Sequence, residues 1–188
     1  MILIGIPTGG TVKSKTLFSI MQLLKHATFE YDIIVKESCV IHWNREHICK
    51  EAVERGYSHV LFIDSDMFFE PDAVERLLKR DKDIIGVQVN LRQSPPVSTV
   101  KTEDEGQIIK QLYPDGLLKC AGVGTGFMLI KTSVFKNLSH PWFFWEADNE
   151  GNVLTGEDIF FCRKARKAGF EIWCDTTIKM GHVGDWVF

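Results

Sequence analysis

Residues 62 to 69 read FIDSDMFF, an apolar strand that runs straight into Asp64 and Asp66. In open α/β sheets ligands gather beyond the carboxyl ends of the strands, so chemistry is expected at such a position. If extended geometry persists through Ser65, both carboxylates point to one side and lie roughly 7 Å apart. Their mutual repulsion would then be about 2 kcal/mol at an effective dielectric of about 20. A divalent cation would reverse the sign of that interaction. Hard oxygen ligands favour Mg²⁺ or Mn²⁺ over zinc. The plainer alternative is a polar strand end followed by an aspartate cap.

Other residues have the types that chemistry needs. His182 lies in Gly181-His182-Val183-Gly184, a backbone able to approach a ligand closely, and a neutral imidazole there offers a further metal bond. An ordinary surface histidine fits the same residues. Glu157 and Asp158 follow Thr155-Gly156 and open a helix, where the dipole alone would favour acids. Arg45 opens another helix after Asn44, and Arg92 precedes a Pro-Pro loop. Arginine suits bidentate phosphate contacts, while a solvated helix face accounts equally well for Arg45. Gly124-Thr125-Gly126 would let backbone approach a ligand, or make a tight strand entry. Trp142, Phe143, Phe144 and Trp145 form an aromatic run that suits ring stacking, a local hydrophobic cluster or a contact in a homo-oligomer.

Several motifs fail on inspection. GIPTGGTVKS lacks the Lys that a P-loop places directly after its second Gly, because Thr11 follows Gly10. His42 and His47 stand five apart, without HExxH spacing. Arg163, Lys164, Arg166 and Lys167 read as one solvated helix face, and Glu103-Asp104-Glu105 as a solvated loop. Against 22 Lys and Arg the chain has 25 Asp and Glu, a net charge of −3, which disfavours a broad nucleic-acid surface. Hydrophobic residues make up 45%, enough for a core and too many for disorder. No apolar run reaches the ~20 residues of a membrane span, and MILIGIPTGG has no secretory pattern. The five cysteines are scattered without a CxxC pair, as expected of reduced core residues in a cytoplasmic protein.

Apolar periodicity places elements around these residues. Strands are expected at Ile2–Ile6, Asp32–Val35, His59–Ile63 and Asp83–Val89. Helices are expected between them. The first buries Leu17, Ile20, Met21 and Leu24 and is capped by Ser14. The second runs from Asn44 to Arg55 and stops at Gly56. The third starts at Pro71 and buries Val74, Leu77 and Leu78. This alternation argues for a parallel sheet with helices on both faces. Beyond residue 90 come loop and turn signals at Ser94-Pro95-Pro96 and Pro114-Asp115-Gly116. A strand follows at Phe127–Ile130, a helix at Glu157–Ala168, and extended pieces at Phe170–Cys174 and Thr177–Met180.

IPTGG, NREHICKEAVERGYSHVLFIDSD, GTGFMLIKTSVF, TGEDIFFCRKARKAGFEIW and GHVG occur in an order that resembles GT-A glycosyltransferases of the family 2-like group, over nearly the whole chain. The resemblance implies an α/β, Rossmann-like nucleotide-diphospho-sugar transferase fold with a mostly parallel central sheet. One domain would span residues 1–188, with a nucleotide-binding half at 1–90 and a donor-sugar and acceptor half at 91–188. It implies transfer of a sugar from a nucleoside-diphosphate donor, a UDP- or GDP-sugar, to a hydroxyl acceptor, by inversion. Asp66 and His182, with Asp64, would hold Mn²⁺ or Mg²⁺. Pro7, Thr8, Arg45, Asp64, Ser65, Arg92, Gly124, Thr125 and Gly126 would contact the donor. Asp158, or Glu157 second, would be the general base, and Trp142 and Trp145 would meet the acceptor. The length matches a near-minimal core without a separate acceptor domain or membrane anchor. Acceptor choice is therefore expected from the 140–155 loop or from a partner chain. A haloacid-dehalogenase-type phosphatase using Asp64 and Asp66 is an alternative, although Phe68 stands where that motif prefers Thr or Val. A non-catalytic nucleotide-sugar binding module and a nucleotidyltransferase are the others.

Overall fold

The computed structural model describes residues 1–91, 97–101 and 116–184. Arg92, the Ser94-Pro95-Pro96 loop and the acidic run at 103–105 lie outside the described residues, as does most of the Pro114-Asp115-Gly116 turn. The strongly apolar segments become β1 (Ile2–Thr8), β3 (His59–Ile63), β5 (Ile84–Val87) and β7 (Phe127–Lys131). With β2 (Tyr31–Glu37), β6 (Leu117–Cys120) and β10 (Ile172–Asp175) they form one seven-stranded sheet, ordered β2-β1-β3-β7-β5-β10-β6. Five of these strands run in one direction, and β7 and β6 run against them. The sheet is thus mostly parallel, with one departure from the expected order. The third and fourth expected strands are not neighbours, because β7 is inserted between them in the opposite sense. A strand buried on both faces carries no local mark of its direction, so periodicity cannot reveal this.

Alternate residues of each strand feed two cores. Leu3, Val60, Phe62, Met128 and Ile130 pack with α2 (Ile41–Glu54), α4 (Thr132–Lys136) and α5 (Glu157–Lys167). Ile2, Ile4, Leu61, Ile63, Phe127 and Leu129 pack with α1 (Ser14–His26) and α3 (Ala73–Arg80) on the opposite face. None of the five cysteines is in a disulfide, and four of them are buried. Among the described residues no helix is long and apolar enough to cross a membrane.

Helix α1 departs from its expected packing. It buries Thr16, Ser19, Ile20 and Leu23, while Leu17 and Met21 are 52% and 59% exposed. Ser14 is its first helical residue and not its cap; Lys13 holds the cap position, and its side chain does not bond back to the helix end. Two small antiparallel pairs were not anticipated from the sequence. A ribbon joins β4 (Met67–Phe69) to β11 (Met180–His182), and a hairpin joins β8 (Glu146–Ala147) to β9 (Val153–Thr155).

Candidate active site

The parallel strands deliver the ends of β1, β3 and β5 to one edge of the sheet, and antiparallel β7 begins at that same edge. After β3 the chain does not stay extended. It turns at Ser65 and Asp66, with the Met67 N–H donating to the Asp64 carbonyl at 3.3 Å. This turn separates two carboxylates that extended geometry would have placed side by side. Asp64 faces α2, where its Oδ1 accepts from Arg45 Nη2 at 2.8 Å. Asp66 faces β11, where its Oδ2 lies 3.2 Å from His182 Nε2.

Arg45 is 2% exposed and also reaches Glu157, with Nε 3.5 Å from Oε1. Burial pulls its pKa down, but the charges of Asp64 and Glu157 outweigh burial, so it stays cationic. Its Nη1 is buried and has no hydrogen-bond partner among the described residues. Arg45 therefore ties the strand end at Asp64 to the helix start at Glu157. The other oxygen of Glu157 accepts from the indole N–H of Trp145 at 2.5 Å. Asp158 is half-buried, and its Oδ1 accepts only from its own helix, at Ile159 N, 2.7 Å. Burial, then the neighbouring Glu157 charge, pushes its pKa up to about 6. The two adjacent acids thus have different partners. Glu157 is engaged by a cation and an indole, and Asp158 is a carboxylate of raised basicity.

His182 is oriented by its backbone partner. The Asn90 carbonyl, which can only accept, lies 3.0 Å from Nδ1, so Nδ1 carries the proton. Nε2 and Asp66 Oδ2 are then two electron-pair donors 3.2 Å apart, an arrangement that calls for a positive centre between them. A proton satisfies that demand. So does a hard cation, since adjacent ligands of an octahedral ion at about 2.1 Å lie about 3 Å apart. Asp66 and His182 thus fit the metal, with Asn90 as the outer partner that fixes the ring. Asp64 is held instead by Arg45, and no group of three or more metal-binding side chains occurs among the described residues. Water and ligand oxygens would fill the remaining positions, as is usual for Mg²⁺.

The other expected site residues have mixed fates. Thr8 organises the loop after β1: its Oγ1 donates to the Thr11 carbonyl at 2.7 Å and accepts from Gly10 N at 3.1 Å. Its carbonyl accepts from Asn44 Nδ2 at 3.2 Å, and Pro7 beside it is buried. Ser65 sits in the turn, where its carbonyl accepts from Lys13 N at 2.8 Å. Gly126 packs against the site itself. Its carbonyl accepts from Asp64 N at 2.8 Å, and a Cβ there would meet Asp64 Oδ2 at 3.3 Å. Gly124 is shaped by Thr99, which a Cβ would meet at 3.1 Å, and Thr125 is buried with an unpartnered hydroxyl. Trp142 is not an acceptor platform. It is 4% exposed, packs on Phe135 and donates its indole N–H to the Leu138 carbonyl at 3.0 Å. Trp145 remains 45% exposed beside His42.

Residues that sequence reasoning passed over complete the arrangement. Glu46 accepts from the backbone N–H groups of Trp142 and Phe143 at 2.5 and 2.6 Å, and pairs with His140 at 3.0 Å, pinning the aromatic segment to α2. Between them lies a groove of about 500 Å³ walled by His42, Trp43, His47 and Phe144. Only the aromatic run hinted at it.

Known proteins enter at the level of fold. No protein-family model matches the sequence, and no curated protein is similar to it. Among solved structures, the chain is similar to A197 from STIV, with TM-score 0.70 and 20% identity over 98% of this chain and 86% of that one. It is also similar to a UDP-glucose pyrophosphorylase complexed with UDP-glucose, with TM-score 0.55 and 9% identity over 96% of this chain and 92% of that one. A putative glucose-1-phosphate thymidylyltransferase from Bacillus anthracis gives TM-score 0.53 and 14% identity over 96% and 89%. The chain shares the Rossmann-like α/β fold of these structures. The Asp66–His182 pair and the Arg45 cluster stand at the edge of the sheet where β1, β3 and β5 end.

Proposed function

We propose that the protein is a metal-dependent glycosyltransferase, moving a sugar from a nucleoside-diphosphate donor to a hydroxyl acceptor. The observation that carries this reading is the Asp66–His182 pair, whose two electron-pair donors converge at 3.2 Å just beyond the end of β3. Asp66 and His182 would hold Mn²⁺ or Mg²⁺. The bound ion supplies charge stabilisation for the departing diphosphate. Asp158, with its pKa near 6, is ionised at neutral pH and basic enough to take the acceptor proton. The acceptor oxygen attacks the anomeric carbon, its proton passes to Asp158, and the bond from that carbon to the diphosphate oxygen breaks. Attack opposite the leaving group inverts the centre. Glu157, engaged by Arg45 and Trp145, positions the helix that carries Asp158. Exposed Trp145 and the groove beside it are the proposed acceptor side.

The phosphatase alternative needs Asp64 as nucleophile, whereas Asp64 Oδ1 is bound to Arg45. Nucleotidyl transfer is the second reading, favoured by the names of the fold relatives. Products separate the two: glycosyl transfer releases a nucleoside diphosphate, and nucleotidyl transfer to a sugar phosphate releases pyrophosphate.

The test begins with thermal shifts for UDP-, GDP-, CMP- and dTDP-sugars with and without Mn²⁺. A ligand at about 100 times its dissociation constant adds about 2.7 kcal/mol of stability. Asp66→Ala is expected to abolish the metal-dependent shift. Asp158→Asn should keep the shift while lowering turnover by about 10³-fold. Full metal-dependent transfer by both variants would overturn the assignment.

A further inference from the structure

Helix α1 turns a mixed face inward, Ile20 and Leu23 together with two hydroxyl residues, and leaves part of its apolar set outside. Thr16 and Ser19 are buried, and the Ser19 hydroxyl accepts from Phe69 N at 3.2 Å. Leu17, Phe18 and Met21 point out, 52%, 56% and 59% exposed. Phe68, 46% exposed on β4, faces Phe18 across a shared groove that Lys179 also lines. Four large apolar side chains therefore stand together on one surface. No acidic residue occurs anywhere in α1, although acids outnumber bases in the chain as a whole. Lys15, Lys25 and Lys179 are exposed around the apolar group. Leu17, Met21 and Lys25 succeed one another at i, i+4, so the charge caps the apolar row. The one acid lining the groove, Glu70, is paired with Arg76 at 3.1 Å.

We propose that the exposed face of α1, with Phe68 of the β4–β11 ribbon, is a docking surface for an anionic lipid membrane. The apolar side chains would enter the headgroup boundary, and the lysines would meet lipid phosphates. This is a peripheral contact and not a span. Charge complementarity selects the membrane over a second copy of the chain, because a two-fold contact through this face would set lysines against lysines. The surface adjoins the candidate active site: Phe68 stands opposite Gly181 in the ribbon, one residue from His182. The inference does not depend on the transfer reaction.

The experiment is co-sedimentation of the full chain with vesicles of phosphatidylcholine alone or containing about one third phosphatidylglycerol. Binding is expected to the anionic vesicles only, weakening as ionic strength rises. A Phe18→Ser, Met21→Ser double variant should bind at least about tenfold more weakly. Its thermal melting and its metal-dependent response to donor should be unchanged, since both side chains are exposed. Lys15→Glu with Lys25→Glu should abolish binding. Absence of binding to anionic vesicles would overturn the proposal, as would undiminished binding by the serine variant. Concentration-dependent dimerisation that the serine variant abolishes would assign the face to a second copy instead.

Discussion

Asp64 and Asp66 stand on either side of a single turn, yet their surroundings differ in kind. Around Asp64 the charges close on one another: Arg45 is sandwiched between it and Glu157, and the cation is almost wholly buried. Around Asp66 they converge on a point: His182 turns Nε2 toward it at 3.2 Å, and the Asn90 carbonyl fixes the ring. The first region ties two elements together, β3 and α5, through one cation. A spacing of two residues in the sequence therefore separates a carboxylate paired with a buried arginine from one that faces a histidine.

Substitutions should break this contrast in graded ways. The largest effect is expected from Arg45→Ala, which leaves Asp64 and Glu157 facing one another without their cation. It should cost about 3 kcal/mol in urea unfolding, whereas Asp66→Ala should change stability by less than about 1 kcal/mol.

Next comes Asp158. Its folded pKa of about 6 lies above the ordinary 3.8, so the folded protein binds this proton more tightly than the unfolded chain. Stability must therefore fall as pH rises between these two values. At pH 7 the charged form carries its full penalty. Asp158→Asn should accordingly stabilise the protein by about 2 kcal/mol at pH 7, after allowing for partial exposure, with the gain vanishing near pH 4. Paired urea titrations at the two pH values check the sign. A gain that grew on acidification would exclude the assigned environment.

His182→Ala should weaken Mn²⁺-dependent donor binding about tenfold to a hundredfold without altering the unfolding midpoint, as read by metal titration of the donor-induced thermal shift. The smallest effect is expected from Trp145→Phe. It removes one hydrogen bond to Glu157 and should cost about 0.5 to 1 kcal/mol, seen as a small shift of the urea midpoint.

The parts of this contrast were unevenly legible in the sequence. Four buried residues running into Asp64 announced a strand end, and glycines around His182 marked a backbone that comes close to something. Both are local signals. What each carboxylate meets beyond the turn was not local: Arg45 arrives from α2 and His182 from β11, residues remote from the turn in sequence. Burial of Trp142 was hidden for a similar reason. Its run of aromatics looks uniform, but Glu46 captures the backbone of Trp142 and Phe143 and draws those two inward, leaving Phe144 and Trp145 outside. Helix α1 follows only in part the rule that apolar residues at helical spacing face the core: Ile20 and Leu23 do. Here Leu17 and Met21 keep the spacing and face out.

Helix α2 carries Arg45 and Glu46 side by side, and their reach makes it a mechanical link. One residue grips the acids at the ends of β3 and α5. The next grips the chain that leads into Phe144 and Trp145. Any tilt or slide of α2 must move both grips together, so the acidic cluster and the aromatic wall would shift in lockstep rather than independently.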